Sequence, residues 1–125
     1  MLSNNYNTNI VNVEIDNNIV YLTFLDYNYT NNEINKCQEI INIIYDYAYK
    51  NNIKYDVNIN INDVKYSNVK KLKFKDFVNL YKNNIINTEL YVNNINIITK
   101  NKWQITFLNF FLLFYKIKVK ISVKK

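Results

Sequence analysis

The stretch that decides the fold is VNININDVKYSNVKKL, residues Val57–Leu72. In its first half valine and isoleucine alternate with asparagine, which is the pattern of a β-strand with one buried and one solvated face. Asp63 ends the alternation, and a turn through Ser67 and Asn68 leads into a lysine-rich segment that predicts the start of a helix. A strand that passes into a helix in this way indicates an α/β unit.

Upstream of this stretch the sequence predicts a β-hairpin and a helix. The hairpin pairs Val11–Ile15 with Ile19–Leu25 across a turn at Asn17–Asn18. The sequence contains no glycine, so asparagine or aspartate must supply the residues with positive φ. Thr30–Glu33 forms a capping box that opens an amphipathic helix, and Asn51–Asn52 ends it.

Downstream the same reasoning predicts two further helices and two further strands. A stripe of apolar residues over Phe74–Tyr81 predicts a second helix that ends near Asn83–Asn84. A strand is expected within Leu90–Ile98, a third helix from Asn101 to Tyr115, and a last strand over Ile117–Val123.

The predicted order of elements, ββαβαβαβ, indicates the α/β class and one domain over residues 1–125. We expect a mixed, mostly parallel sheet of about five strands. Because the strands alternate between apolar and polar residues, the helices should lie mainly on one face. The other face should be partly open and lined by Asn58, Asn60, Lys118 and Lys120.

Composition restricts the function classes. The sequence has no Gly, Pro, His or Arg, whereas Asn, Ile, Lys and Tyr abound, which is typical of a very AT-rich genome such as that of a virus or an organelle. Without glycine there is no phosphate-binding loop, and without histidine there is no His base, His nucleophile pair or His metal ligand. We therefore expect no catalytic residues, no metal site, no cofactor and no enzymatic activity. The single cysteine, Cys37, is predicted to be a small buried side chain.

Charge is distributed unevenly along the chain. The net charge is +6, but residues 1–63 have a balance of −5 and residues 64–125 a balance of +11. This asymmetry predicts a basic surface in the second half. The first residues, MLSNNYNTN, are polar and do not resemble a signal peptide, so an intracellular location is expected.

The element order and the central turn resemble the STAS domain, which occurs in sulfate transporters and in antagonists of anti-sigma factors. The segment from Asp63 to Leu72 is similar to the family pattern D-V-x-Y/F-x-D-S-S-G-L, and it keeps the opening Asp-Val, the aromatic residue and the closing Leu. The family's phosphorylatable serine falls on Val69, its glycine on Lys71 and its second aspartate on Asn68. The resemblance thus implies a non-enzymatic module that binds proteins, anions or lipids here, without the phosphorylation switch.

The central turn is the first candidate site. A helix N-terminus flanked by lysines can bind an acidic protein partner or an anion, and the residues proposed for this role are Lys65, Ser67, Asn68, Lys70, Lys71 and Lys73. Two simpler interpretations stay open: Ser67 and Asn68 are plain helix caps, and the lysines are a solvated face enriched by mutation bias. Weak, salt-sensitive nucleic-acid binding is also compatible, but arginine for base recognition is missing.

The segment from Trp103 to Tyr115, WQITFLNFFLLFY, is the most apolar in the sequence. As a helix it rises only about 20 Å, against about 30 Å of membrane hydrocarbon, so no transmembrane span is expected. It is either a core helix or a protein interface that makes the chain a homo-oligomer. The interface residues would be Trp103, Phe107, Phe110, Phe111 and Phe114.

From sequence alone we therefore expect a STAS-like, non-enzymatic protein-interaction or regulatory module that associates with itself. The alternative is a basic protein from a virus or an organelle that binds nucleic acid or an anionic membrane surface.

Overall fold

The structure is a computed structural model, and it describes residues 2–106, 108 and 118–124. In chain order the elements are β1 (Asn5–Asn7), β2 (Val11–Asp16), β3 (Ile19–Phe24), α1 (Asn31–Asn51), β4 (Tyr55–Asn60), α2 (Tyr66–Val69), α3 (Phe74–Tyr91), β5 (Val92–Ile98) and β6 (Lys120–Lys124). A further stretch of helix covers residues 102–106 between β5 and β6.

The strands of the described chain form one six-stranded sheet in the order β1-β2-β3-β4-β5-β6. The first three strands pair antiparallel, whereas β3, β4, β5 and β6 pair parallel. The predicted α/β class and the mixed, mostly parallel sheet are confirmed. The number of strands is six and not about five, because the three-residue β1 has a single apolar residue, Tyr6, and no alternation to indicate it.

Helices α1 and α3 lie on the same face of the sheet. Together with that face they line an apolar pocket of about 190 Å³, and the lining includes Ile44 of α1, Thr88 of α3 and Val57 of β4. Two polar contacts join the helices: the Tyr45 and Thr88 hydroxyls are 2.6 Å apart, and the Gln38 and Asn84 amides donate to each other at 2.8 Å in both directions. The buried core includes side chains of β2, β3 and α1, among them Val11, Val13, Val20, Cys37, Ile44 and Ala48, together with Tyr55 of β4.

The opposite face of the sheet presents the other alternate residues of β2–β6, and we call it the open face. Strand register places Asn58 beside Asn96, and Asn94 beside Lys120, on this face. The prediction is right for Asn58, Asn60 and Lys120. It is wrong for Lys118, which precedes β6 and donates its backbone N–H to a carboxylate oxygen of Glu89 at 3.0 Å.

Helix α1 begins and ends where its sequence predicts. The Thr30 hydroxyl accepts a hydrogen bond from the Glu33 N–H at 3.3 Å, which is the first half of the predicted capping box. The Glu33 carboxylate does not complete the predicted capping box. It accepts a hydrogen bond from the Asn9 side-chain amide at 3.2 Å and thereby connects α1 to the loop before β2. Burial raises the pKa of the Cys37 thiol to about 11, so this side chain is an uncharged core residue.

The second predicted helix differs most from the structure. It is divided into the short α2 and the longer α3, and Asn83–Asn84 does not end it, since α3 continues to Tyr91. Asn84 is stable inside a helix because its amide donates to the Leu80 carbonyl at 2.9 Å and pairs with Gln38. Residues 90 and 91 are consequently helical, and the following strand begins at Val92 instead of Leu90.

Asparagine supplies the positive φ values that glycine usually provides. Asn17 in the β2–β3 turn has φ of 54°, and Asn52 after α1 has φ of 52°. The Asn52 N–H also closes α1 by donating to the Ala48 and Tyr49 carbonyls. Both positions were predicted as turn or cap residues.

Replacing Asn52 tests this role. We expect Asn52→Ala to lower the free energy of unfolding by about 1 kcal/mol, because a Cβ without a polar group disfavours the left-handed conformation, and Asn52→Gly to preserve or raise it. Urea denaturation measures both changes. Asn51→Ala, at the last helical residue next to it, is the control and should change the free energy by less than about 0.5 kcal/mol. Equal losses for Asn51→Ala and Asn52→Ala would contradict the assignment.

Candidate functional site

The loops that follow β3, β4 and β5 meet at one edge of the sheet, which we call the carboxyl edge. They comprise residues 25–30, 61–65 and 99–101, and the short α2 adjoins them. In open α/β sheets, ligands bind outside the carboxyl ends of the strands, because the loops there converge from several elements. This edge also contains the predicted lysine-rich turn.

A buried glutamine holds the loops of the carboxyl edge together. Gln104 is 2% exposed, and its amide N–H groups donate to the Ile61 carbonyl at 2.8 Å and the Val64 carbonyl at 2.5 Å. Its side-chain oxygen accepts a hydrogen bond from the buried Thr99 hydroxyl. Asn101 adds a bond from its side-chain amide to the Asn62 carbonyl at 3.0 Å. The loops after β4 and β5 are thus fixed relative to each other by side-chain hydrogen bonds.

A second cluster joins the loop after β3 to α2. The Lys65 ammonium is 3.0 Å from a carboxylate oxygen of Asp26, and the Asn68 side-chain oxygen accepts from the Lys65 N–H at 3.0 Å. The Asn68 carbonyl accepts in turn from the Tyr29 N–H at 3.0 Å. Hydrogen bonds from Lys65 and Asn68 hold the pKa of Asp26 below its ordinary value, so this carboxylate stays ionised at neutral pH.

The six residues predicted for partner or anion binding lie together on this edge, but not all are available. Lys65 is engaged with Asp26, and Asn68 is a structural cap of α2, as the simpler interpretation has it. Ser67, Lys70 and Lys71 are exposed on or just after α2. Lys73 is the residue before α3, and its N–H donates to the Asp76 carboxylate at 2.7 Å. The lysines therefore lie at the N-termini of two helices, α2 and α3, and do not cluster around a single helix N-terminus.

The lysines of this edge have no acidic partners among the residues the structure describes, apart from Lys65. The ion pairs over residues 2–106 and 118–124 involve Lys36, Lys50 and Lys65 only. The exposed lysines at the carboxyl edge that lack such a pair are Lys70, Lys71, Lys73, Lys75, Lys100 and Lys102. Unpaired like charges on one surface create a positive potential that attracts acidic molecules.

Two exposed aromatic side chains lie close in sequence to these lysines, since Tyr66 precedes Lys70 and Trp103 follows Lys102. Tyr66 of α2 is 66% exposed and Trp103 is 37% exposed. Their rings pack edge to face, with centroids 6.1 Å apart and an interplanar angle of 83°. Sequence reasoning did not find this pair, because the two residues are distant in the chain and Trp103 was assigned to a helical interface. The remaining predicted interface residues, Phe107, Phe110, Phe111 and Phe114, lie outside the described residues.

Comparisons with known proteins provide no relative from which a role could be transferred: no family model, no curated protein and no solved structure matches this chain. Within the described part of the chain, no helix is sufficiently long and apolar to cross a membrane. Among these same residues, no three acidic, histidine or cysteine side chains form a group able to hold a metal ion.

Substitution of Gln104 tests whether its amide holds the carboxyl edge together. We expect Gln104→Met to lower the free energy of unfolding by about 2–4 kcal/mol, because the Ile61 and Val64 carbonyls lose their donors while they stay buried. Chemical denaturation measures the loss. Lys102→Met, on the exposed side of the same helical stretch, is the control and should change the free energy by less than about 0.5 kcal/mol. A neutral Gln104→Met would show that the amide is not needed.

Proposed function

We propose that this chain is a non-catalytic protein-interaction domain that binds an acidic partner protein at its carboxyl edge. The observation that carries the proposal is the exposed Tyr66–Trp103 pair, which is close in sequence to exposed lysines without acidic partners. This is the kind of function that the STAS resemblance implies, and it uses the turn to which that resemblance points.

The aromatic pair supports protein binding by its exposure and its geometry. Tyrosine and tryptophan are enriched among the residues that dominate binding energy at protein interfaces, since each buries a large area with few rotatable bonds. Tyr66 and Trp103 already pack against each other, so little side-chain entropy is lost when a partner covers them. The pair therefore provides a partly ordered apolar contact at the same edge as the exposed lysines.

The surrounding lysines support a partner with negative charge. Lys70 and Lys71 follow α2 directly, and Lys102 precedes Trp103. Charges at the rim of an interface mainly accelerate encounter and select partners by sign, whereas the buried apolar contact holds the complex. The expected partner surface combines carboxylates with an apolar or aromatic residue.

The chemistry of the edge supports a binding role over catalysis. Asp26 lies near the lysines, but its ion pair with Lys65 keeps its pKa low, and a carboxylate with a low pKa is a poor proton donor or acceptor near neutral pH. Asp63, in the loop after β4, is exposed to solvent. The sequence contains no histidine to act instead.

Single-stranded nucleic acid is the second candidate, because exposed aromatic rings among lysines also bind stacked bases. The edge-to-face contact favours a protein partner. One ring edge already covers a face of the other ring, at an angle of 83°, and this reduces the area on which a base can stack. No arginine is present to read base edges.

Binding of two labelled probes tests the proposal. Fluorescence anisotropy is measured with a short peptide of mixed glutamate and leucine and, separately, with oligothymidylate. We expect the peptide to bind, Lys70→Glu with Lys71→Glu to weaken it about tenfold by charge repulsion, and Tyr66→Ala or Trp103→Ala to weaken it about fivefold or more.

Lys54→Glu with Lys82→Glu is the matched control, because it changes net charge equally at exposed lysines away from the carboxyl edge and should leave binding unchanged. Peptide binding that is insensitive to Tyr66→Ala and Trp103→Ala would contradict the proposal. Tighter binding of oligothymidylate, lost on alanine substitution of either aromatic residue, would establish the nucleic-acid alternative.

A further inference from the structure

The open face of the sheet carries in-register rows of polar side chains. One row runs from Asp16 through Ile19, Asp56 and Asn94 to Lys120. A parallel row runs from Glu14 through Tyr21, Asn58 and Asn96 to Ser122. A third runs from Asn12 through Thr23, Asn60 and Ile98 to Lys124. Each row therefore crosses five strands on the side opposite α1 and α3.

The centre of the open face is internally hydrogen-bonded and carries one acidic side chain, Asp56. The Asn96 amide donates to the Asn58 side-chain oxygen at 3.0 Å, and the Asn94 amide donates to the Asp56 carboxylate at 3.1 Å. Tyr21 is 38% exposed and Ile98 is 36% exposed on the same face. The centre thus has fixed polar groups and a little exposed apolar surface, which is the composition of a weak, hydrated interface.

The two ends of the open face carry opposite charge. Glu14 and Asp16 are exposed on β2, and Lys120 and Lys124 are exposed on β6. None of the four forms an ion pair within residues 2–106 and 118–124. Four strand spacings separate β2 from β6, or about 19 Å, which exceeds the Debye length of about 8 Å at physiological ionic strength. The two groups of charges consequently do not neutralise each other within one molecule.

We propose that two copies of this chain bind each other open face to open face. A two-fold axis that lies between the sheets and runs parallel to the strands reverses the order of strands in the second copy. β6 of each copy then lies over β2 of the other. Asp16 and Lys120 belong to the same row, so each Asp16 comes opposite the Lys120 of the other copy.

Charge complementarity identifies a second copy as the occupant. A uniformly acidic or uniformly basic partner would neutralise one end of the face and be repelled by the other. A second copy supplies both signs at the required spacing, because a two-fold operation brings each acidic end onto a basic end. This surface differs from the helical interface expected from sequence, and it leaves the carboxyl edge free for the proposed acidic partner.

The size of the open face predicts a weak, salt-dependent dimer. Five strands with three outward rows cover an area of about 20 Å by 20 Å, so the pair buries on the order of 1,000 Å², near the lower limit for specific interfaces. Much of the attraction is between exposed charges, which salt screens. The dimer should therefore form at high protein concentration and low ionic strength.

Charge reversal at each end tests the proposal by sedimentation equilibrium or light scattering. One variant carries Lys120→Glu and Lys124→Glu, and a second carries Glu14→Lys and Asp16→Lys. We expect the wild-type chain to approach the mass of a dimer at low salt and to dissociate at about 0.5 M NaCl. Each variant alone should be monomeric, because both Asp16–Lys120 contacts of the dimer then join like charges.

An equimolar mixture of the two variants is the decisive measurement. When one copy of each variant pairs with the other, positions 16 and 120 again carry opposite charges at both ends of the dimer. The measured mass should therefore again be that of a dimer. Reversal of two lysines lowers the formal charge from +6 to +2, and reversal of two acidic residues raises it from +6 to +10. Because both variants are then positively charged, their net charges cannot make the mixture associate. Lys54→Glu with Lys82→Glu, which also gives +2, should dimerise like the wild type.

A wild-type chain that is monomeric at low salt and high concentration would overturn the proposal, as would a mixture that stays monomeric. Circular dichroism establishes that each variant is folded before its mass is measured. If a reversed variant does not fold, Lys120→Gln with Lys124→Gln replaces it, and unchanged dimerisation of that variant would also overturn the proposal.

Discussion

The constraint on which the structure depends is burial of one face of the sheet against α1 and α3. Val13 and Val20 are almost fully buried, while their neighbours in sequence, Glu14 and Tyr21, face the other way. Because side chains alternate along a strand, a register slip of one residue would expose this apolar set and bury the polar one. Burial therefore fixes strand register, and register fixes both the rows of the open face and the positions of the loops at the carboxyl edge.

Much of this architecture can be predicted from the sequence, because period-two and helical patterns are local. The hairpin, α1 with its caps, and β4 follow from residues within a few positions of one another. Predictions failed where a distant residue decides the outcome. Asn83–Asn84 looked like a helix end, yet Asn84 stays helical because Gln38 of another helix satisfies its amide. Strand β1 has no periodicity of its own and exists because it pairs with β2.

For the candidate site, as for the fold, local features can be predicted from the sequence and contacts between distant residues cannot. The lysine-rich turn is visible in the sequence, and the structure places it at the carboxyl edge as a site in an open α/β sheet requires. The sequence does not show that Asp26 pairs with Lys65, that Gln104 joins two loops, or that Tyr66 contacts Trp103. Each of these contacts bridges segments far apart in the chain, and they determine which predicted residues remain available to a partner.

Neighbouring residues of β3 provide the most direct test of one-sided burial. Lysine is introduced either at Val20, which is 3% exposed, or at Tyr21, which is 38% exposed, and the free energy of unfolding is measured by urea denaturation. The account predicts a loss of about 3 kcal/mol or more for Val20→Lys, because a charge replaces a buried apolar side chain, and less than about 1 kcal/mol for Tyr21→Lys. Similar losses at the two positions, or a larger loss at Tyr21, would contradict it.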